Sequence, residues 1–412
     1  MRTAPDLARY AAFALCLAAP AWPALAQDRL AVFDEAARIV ERQFFDPQMN
    51  GLDWDAVTAE HRARIAPEMD GAAFAEEVNA MLARLETSHT RLITQDSPDW
   101  YQLAGVFLPG NDRLAERMAP FLTDGAPLYA GIGVMLDSRA DGHFVTGVLA
   151  GFPASEAGIL KGDRIVAAGG EPFHPIRSFA GREGEETRIT VERRPGETLD
   201  LTATPVLLDG RTMFEDAMRE SARIIAHGDK DIGYIQVWSY AGQEYQDILT
   251  GALLYGPLKD ADALILDIRG GWGGASPVYL NIFTDRVMTF TSIRRGGETV
   301  SFGSGWAKPV VLIADEGARS GKELIAHGFR ELEIGPVIGE RTAGAVVSGR
   351  LNILSDGSLL YVAVADVTVA GERLEGRGVA PDIAVPFDPA HAAGADPQLD
   401  RALEEAAGLA AN

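Results

Sequence analysis

The sequence predicts a multidomain chain of α/β and α+β class, with a helical N-terminal part, a β-rich middle and an α/β core. Three observations predict it. Apolar residues recur at helical spacing near the N-terminus, alternating strands and Gly-rich turns begin at Tyr129, and two continuous apolar runs follow later. The 412 residues are too many for one hydrophobic core and suit two or three domains.

At the N-terminus, Arg2 and Arg9 precede the apolar stretch Tyr10 to Pro20. Ala24-Leu25-Ala26 then offers a small-x-small cleavage site before Gln27. Residues 1–26 are therefore expected to be a signal peptide, their apolar run being too short to span a bilayer comfortably. The single cysteine, Cys16, falls inside this leader, which excludes a disulfide framework, an Fe–S cluster and a Cys-type zinc site.

Residues 27–105 read as a helical domain. Phe33, Ala36, Val40 and Phe44 form one stripe; Phe74, Val78, Met81, Leu82 and Leu85 form a second, opened by Asp70 as an N-cap. That helix runs out immediately before Ser88-His89-Thr90. Residues 125–208 alternate short strands with Gly-rich turns. Residues 209–395 read as the α/β core, because Ala263–Arg269 and Pro309–Ala314 are the unbroken apolar runs of strands buried on both faces. Lys322–Leu332 is expected as a helix, Asn352–Val369 as a hairpin turning at Asp356-Gly357, and 396–412 as a closing helix.

Composition removes several function classes. Asp and Glu number 59 against 37 Lys and Arg, a net charge of −22, so no basic surface exists for a nucleic acid. The seven histidines are scattered with none at metal-ligand spacing, and no metal or organic cofactor is expected. The loop Arg269-Gly270-Gly271-Trp272-Gly273-Gly274 follows a strand but lacks the ending of a phosphate loop. Such a loop can instead aim backbone N–H groups at a developing oxyanion. Ser320 lies between a buried strand and a helix, and by itself reads more readily as a plain N-cap than as a nucleophile on a sharp turn. Lys322, two residues on, is expected to face away from it and to be dispensable.

Two resemblances change these odds. The succession Tyr129 to Val134, Phe144 to Val148, Pro153 to Gly158, Lys161 to Val166 and Thr187 to Arg193 resembles a PDZ domain of the bacterial protease-associated kind. It implies that Gly131, Ile132, Gly133 and Val134 form a substrate-binding loop for a peptide carboxylate. The stretch Glu171 to Ala180 is short for the helix that walls such a groove, so tight binding is not expected. Asp267 to Gly274, Arg319 to Glu323, Gly339 to Gly344, Asp356 to Ser358 and Glu375 to Asp382 resemble the S41 peptidases, the C-terminal processing and tricorn-core family.

That resemblance implies a ClpP/crotonase-like α/β peptidase core. Its processing branch pairs serine with a lysine, but Ala345 stands at the lysine's position, which rejects a Ser–Lys dyad. The tricorn-like branch implies Ser320 as nucleophile, His89 as base, and Ser88 and Glu375 as the groups that polarise the histidine. Gly321, with Gly273 or Gly274, would form the oxyanion hole. An ordinary histidine pKa of about 6.5 would place the acid loss of activity near pH 6–7. The expectation is a periplasmic or secreted serine peptidase acting on unfolded or tail-presenting proteins, without nucleic-acid partners or stable membrane insertion. A catalytically silent PDZ-containing peptide-binding protein is the alternative, and an esterase using the same serine is a third.

Overall fold

The computed structural model describes residues 29–284, 289–303 and 305–411; the expected leader, with Cys16, lies outside the described residues. Among the described residues, no helix is long and apolar enough to cross a membrane.

The two N-terminal stripes become helices Arg29–Gln43 and Gly71–Ala83, and between them lies a helix the sequence reading did not name, Trp54–Arg62. In chain order, Asp53 and Asp70 cap the second and third, accepting the amides of Ala56 and Ala73. Their apolar faces bury Phe33, Phe74, Val78 and Met81 against Leu360, Val362 and Ala363 of a distant hairpin. That hairpin pairs Ser348–Ile353 with Leu359–Ala365 and turns at Asp356-Gly357, as the sequence suggested. Its limits differ, because Thr368–Val369 pairs with Glu372–Arg373 instead of extending the arm. Strand Arg91–Ile93 joins the hairpin edge with Arg91 opposite Tyr361. The segment carrying Ser88 and His89 is thereby laid against the C-terminal half of the chain.

The middle region is an antiparallel sheet running Val134–Arg139, Gly142–Val148, Arg164–Ala168, Thr187–Arg194 and Glu197–Ala203. Leu128–Gly131 pairs with Val206–Asp209 and ties its two ends together. Residues 173–186 contain turns but no helix, so the short stretch noted in the sequence builds no helical wall. Strands Val134–Arg139 and Glu197–Ala203 are the two edges of this sheet, the first directly following Gly131–Gly133.

The core is a six-stranded sheet in the order Arg223–His227, Lys230–Gln236, Ala263–Asp267, Val310–Ala314, Val337–Gly339 and Ile383–Ala384. It is parallel after the first antiparallel pair. Alternation along the strands serves both faces. Leu264, Leu266 and Leu312 meet Ile325 and Phe329 of helix Gly321–Glu331, while Ile265, Val311 and Ile313 meet Ala402 and Ala406 of helix Pro397–Ala410. The loops after Ala263–Asp267 and Val310–Ala314 lie side by side at the carboxyl ends of parallel strands, where open α/β sheets place their sites.

Candidate active site

Ser320 ends the second of these loops with φ 56° and ψ −126°. A serine in this left-handed region is strained, and neighbouring groups hold it there. Its amide donates to Ala345 O at 2.9 Å and to Glu323 Oε2 at 3.2 Å. Glu323, on the first turn of the following helix, also accepts Thr342 Oγ1 at 2.6 Å and the amides of Gly344 and Ala345 at 2.8 and 2.7 Å. One buried carboxylate therefore pins the serine turn to the Thr342–Ala345 segment. The sequence reading did not single out Glu323, although the pattern Ser320-x-x-Glu323, a serine followed three residues later by glutamate at a helix start, could have found it.

His89 also has a positive φ, 56°. Ser88 Oγ lies 2.9 Å from His89 Nδ1 and donates to Glu375 Oε2 at 3.0 Å. Glu375 further accepts the Ser88 amide at 2.9 Å and the amides of Val346 and Val347 at 2.7 and 3.1 Å. Four donors converge on this carboxylate and leave it purely an acceptor. Ser88 spends its one proton on Glu375, so its oxygen accepts from His89 Nδ1–H, and Nε2 is left as the basic nitrogen. Burial lowers the His89 pKa to about 4, outweighing the attraction of Glu375 and reinforced by Arg319 and Arg91. The ring is neutral across the physiological range.

Ser88, His89, Gly273, Gly274, Ser320 and Gly321 line one cavity of about 490 Å³, with Glu375 behind its wall. Among the described residues no hydrogen bond joins Ser320 to His89; such pairs often tighten only when substrate is bound. Gly273 is packed so closely that a Cβ there would lie 2.6 Å from Ser320 Cβ and 2.8 Å from Gly321 N. Only glycine lets the loop amides approach the serine. The wall also carries Arg91, Arg319 and Tyr361, none of which the sequence reading singled out.

Gly131, Ile132, Gly133 and Val134 lie elsewhere, along a second cleft of about 10 Å³, room for about one water. Phe173, Phe179 and Leu208 line that cleft. Gly133, at φ 79°, would place a Cβ 2.4 Å from that of Phe152, so its bareness is needed for the fold itself.

Lys322 requires a correction. It turns away from the cavity, as expected, but is fully buried and structural. Its Nζ donates to Gly270 O at 2.7 Å and Trp238 O at 3.1 Å, clamping the glycine loop to the segment that follows strand Lys230–Gln236. Burial lowers its pKa to about 7.

With this geometry established, the chain can be set beside known proteins. Residues 231–385 match Peptidase family S41, and residues 25–83 match the Tricorn protease C1 domain. The chain carries an S41 peptidase domain. Relatives of this chain include Tricorn protease homolog 1 of Streptomyces coelicolor, 27% identical over 396 residues, covering 90% of this chain and 34% of that protein. Carboxyl-terminal-processing peptidase 3, chloroplastic, of Arabidopsis thaliana is 27% identical over 372 residues, covering 85% of this chain and 67% of that one. The chain spans about a third of the length of the tricorn homologues it matches. It shares its fold with the photosystem II D1 C-terminal processing protease, at a TM-score of 0.51 and 20% identity, covering 90% of this chain and 98% of that one.

Proposed function

We propose that this chain is an exported serine peptidase that cleaves unfolded or tail-presenting proteins through an acyl-enzyme on Ser320. The observation that carries the reading is the unbroken contact Glu375–Ser88–His89 opening onto the cavity that Ser320 lines. His89 Nε2 takes the Ser320 proton as the hydroxyl attacks the carbonyl, and later gives it to the leaving amine. The imidazolium formed in between is stabilised through Ser88 by the Glu375 carboxylate, which offsets the burial that disfavours it. Gly321 N–H at the helix start, with the Gly273 or Gly274 amide, faces the tetrahedral oxyanion. With Ala345 at the position of the processing-branch lysine, the tricorn-like arrangement of Ser320, His89, Ser88 and Glu375 is the one these residues support.

The PDZ-like sheet adds recruitment to this reading. Its open edge strand Val134–Arg139 can take up an extended peptide through backbone hydrogen bonds, while the filled cleft beside Gly131–Val134 leaves few side-chain contacts. Weak, sequence-tolerant binding is the consequence.

A fluorophosphonate probe followed by peptide mass spectrometry tests the nucleophile. An adduct on Ser320 that disappears in Ser320→Ala, with loss of proteolysis, is the expected result. No adduct in the parent protein would favour the silent peptide-binding scaffold, and ester turnover without proteolysis would favour the esterase.

A further inference from the structure

The charge of the cavity runs against the charge of the chain. The protein carries −22 overall, yet no Asp or Glu lines the cavity beside Ser320, and two arginines do. The two differ in how they are held. Arg91 bonds Asp99 at 2.8 Å and lies over the Trp272 ring at 5.6 Å. Arg319, the residue before Ser320, makes no ion pair among the described residues; its guanidinium donates only through Nε, to Gly317 O at 3.2 Å. Most arginines of this acidic chain have found a carboxylate, and the one adjoining the serine has not. A half-buried cation without a bonded counter-ion is costly, and burial together with Arg91 pushes its pKa below the usual range, against the non-contacting attraction of Asp99, Asp315 and Glu323. Its remaining N–H groups form the planar fork that matches a carboxylate with two parallel hydrogen bonds.

We propose that Arg319 binds a carboxylate of the peptide substrate, either an acidic side chain or the peptide's own C-terminus, next to the bond that Ser320 attacks. The proposal rests on the peptidase reading and adds the substrate class to it. The cavity offers the rest of the peptide an apolar wall, Leu103, Val106, Phe107, Leu324 and Val367, so the carboxylate is its one strong polar anchor. Long-range repulsion from the acidic surface works against such substrates, so selectivity for them must arise locally, at the guanidinium.

Binding tests this without needing turnover. In the full chain carrying Ser320→Ala, fluorescence anisotropy compares one labelled peptide in matched pairs: free C-terminal acid against amide, and Glu against Gln at a position beside the expected scissile bond. At least one carboxylate form should bind about 10–100-fold more tightly than its neutral counterpart, the range for a charge-assisted hydrogen-bonded pair. The pair that responds identifies the source. The ratio should fall to within about twofold on adding Arg319→Gln, and be partly retained with Arg319→Lys, which keeps the charge but not the fork. Because the ratio is read within each protein, a general loss of affinity cancels. Equal binding of both pair members, binding of neither, or a preference that survives Arg319→Gln overturns the proposal. Fluorophosphonate labelling of the unmutated serine judges the peptidase reading separately.

Discussion

Glu375 holds Ser88 twice, accepting its hydroxyl at 3.0 Å and its amide at 2.9 Å, although the two residues come from opposite ends of the chain. The same carboxylate takes the amides of Val346 and Val347, so it fastens the Ser88-His89 turn to the segment beside Ser320. Position and electrostatics therefore depend on one group. The hydrogen bonds that orient His89 also assemble the wall of the cavity.

Replacing Glu375 by Gln should reveal both roles. The amide side chain retains one acceptor oxygen but turns an NH₂ toward N–H or O–H donors, leaving at least one buried donor unpaired. About 1–3 kcal/mol of stability should be lost. The charge that stabilises the imidazolium is also gone, so kcat should fall about 10²–10⁴-fold. Denaturant unfolding and steady-state kinetics read the two effects. Near-parental kcat in the folded variant would remove Glu375 from the mechanism.

The acid limit of activity follows from His89. Its pKa lies near 4 instead of the ordinary 6.5, because burial and two neighbouring arginines outweigh Glu375. The free enzyme's kcat/KM should therefore persist through pH 6 and fall only toward pH 4, well below the limit an unperturbed histidine would set. Stability follows the same shift. The unfolded chain takes up this proton below pH 6.5 and the folded one only near 4, so stability declines as pH falls through that window. A pH–rate profile on a small substrate that breaks at pH 6–7 would contradict the buried, neutral ring.

Lys322→Ala should be far from silent. It removes both Nζ hydrogen bonds, orphans Gly270 O and leaves a void beneath the glycine loop. Roughly 1–3 kcal/mol is expected from the carbonyl and more from the cavity. Activity should fall with it, since the loop amides lose their support. Equilibrium unfolding that matched the parent would show the clamp to be unimportant.

These residues mark how far the sequence could be read. The helices Arg29–Gln43 and Gly71–Ala83 were legible because their stripes and the Asp70 cap are local, and the central strands because both faces demand apolar residues. The hairpin turn at Asp356-Gly357 was legible for the same local reason, whereas its limits depended on where Thr368–Val369 found another partner. Ser88, His89, Ser320 and Glu375 could be named only through motif resemblance, since nothing local tells a serine nucleophile from an N-cap. The pairing of Arg91–Ile93 with Leu359–Ala365, which brings His89 to the core, joins segments far apart in sequence and leaves no periodic signal. Lys322 was misread because its acceptors are backbone carbonyls of two other loops. A fully buried lysine without a carboxylate has no sequence signature.

The β-rich middle region is joined to the site through Gly147 and Trp238, which makes its removal a poor test of recruitment. Tyr129 and Leu149 belong to the main hydrophobic core, so deleting residues 129–205 would unfold more than a docking module. A single substitution is cleaner. A Cβ on Gly147 would lie 2.0 Å from the tip of the Trp238 ring, which is itself buried. Trp238 O accepts both Trp272 N at 2.8 Å and Lys322 Nζ at 3.1 Å, so displacing this residue shifts the glycine loop next to Ser320. Gly147→Val should therefore cost about 1–3 kcal/mol from overpacking. It should also lower kcat on small and large substrates alike, although Gly147 itself lines neither the cavity nor the cleft beside Gly131–Val134. Arg188→Ala, an exposed change on the same sheet, serves as the control and should leave both kinetic constants near parental. Loss confined to long unfolded substrates in Gly147→Val would show that the contact with Trp238 does not reach the glycine loop.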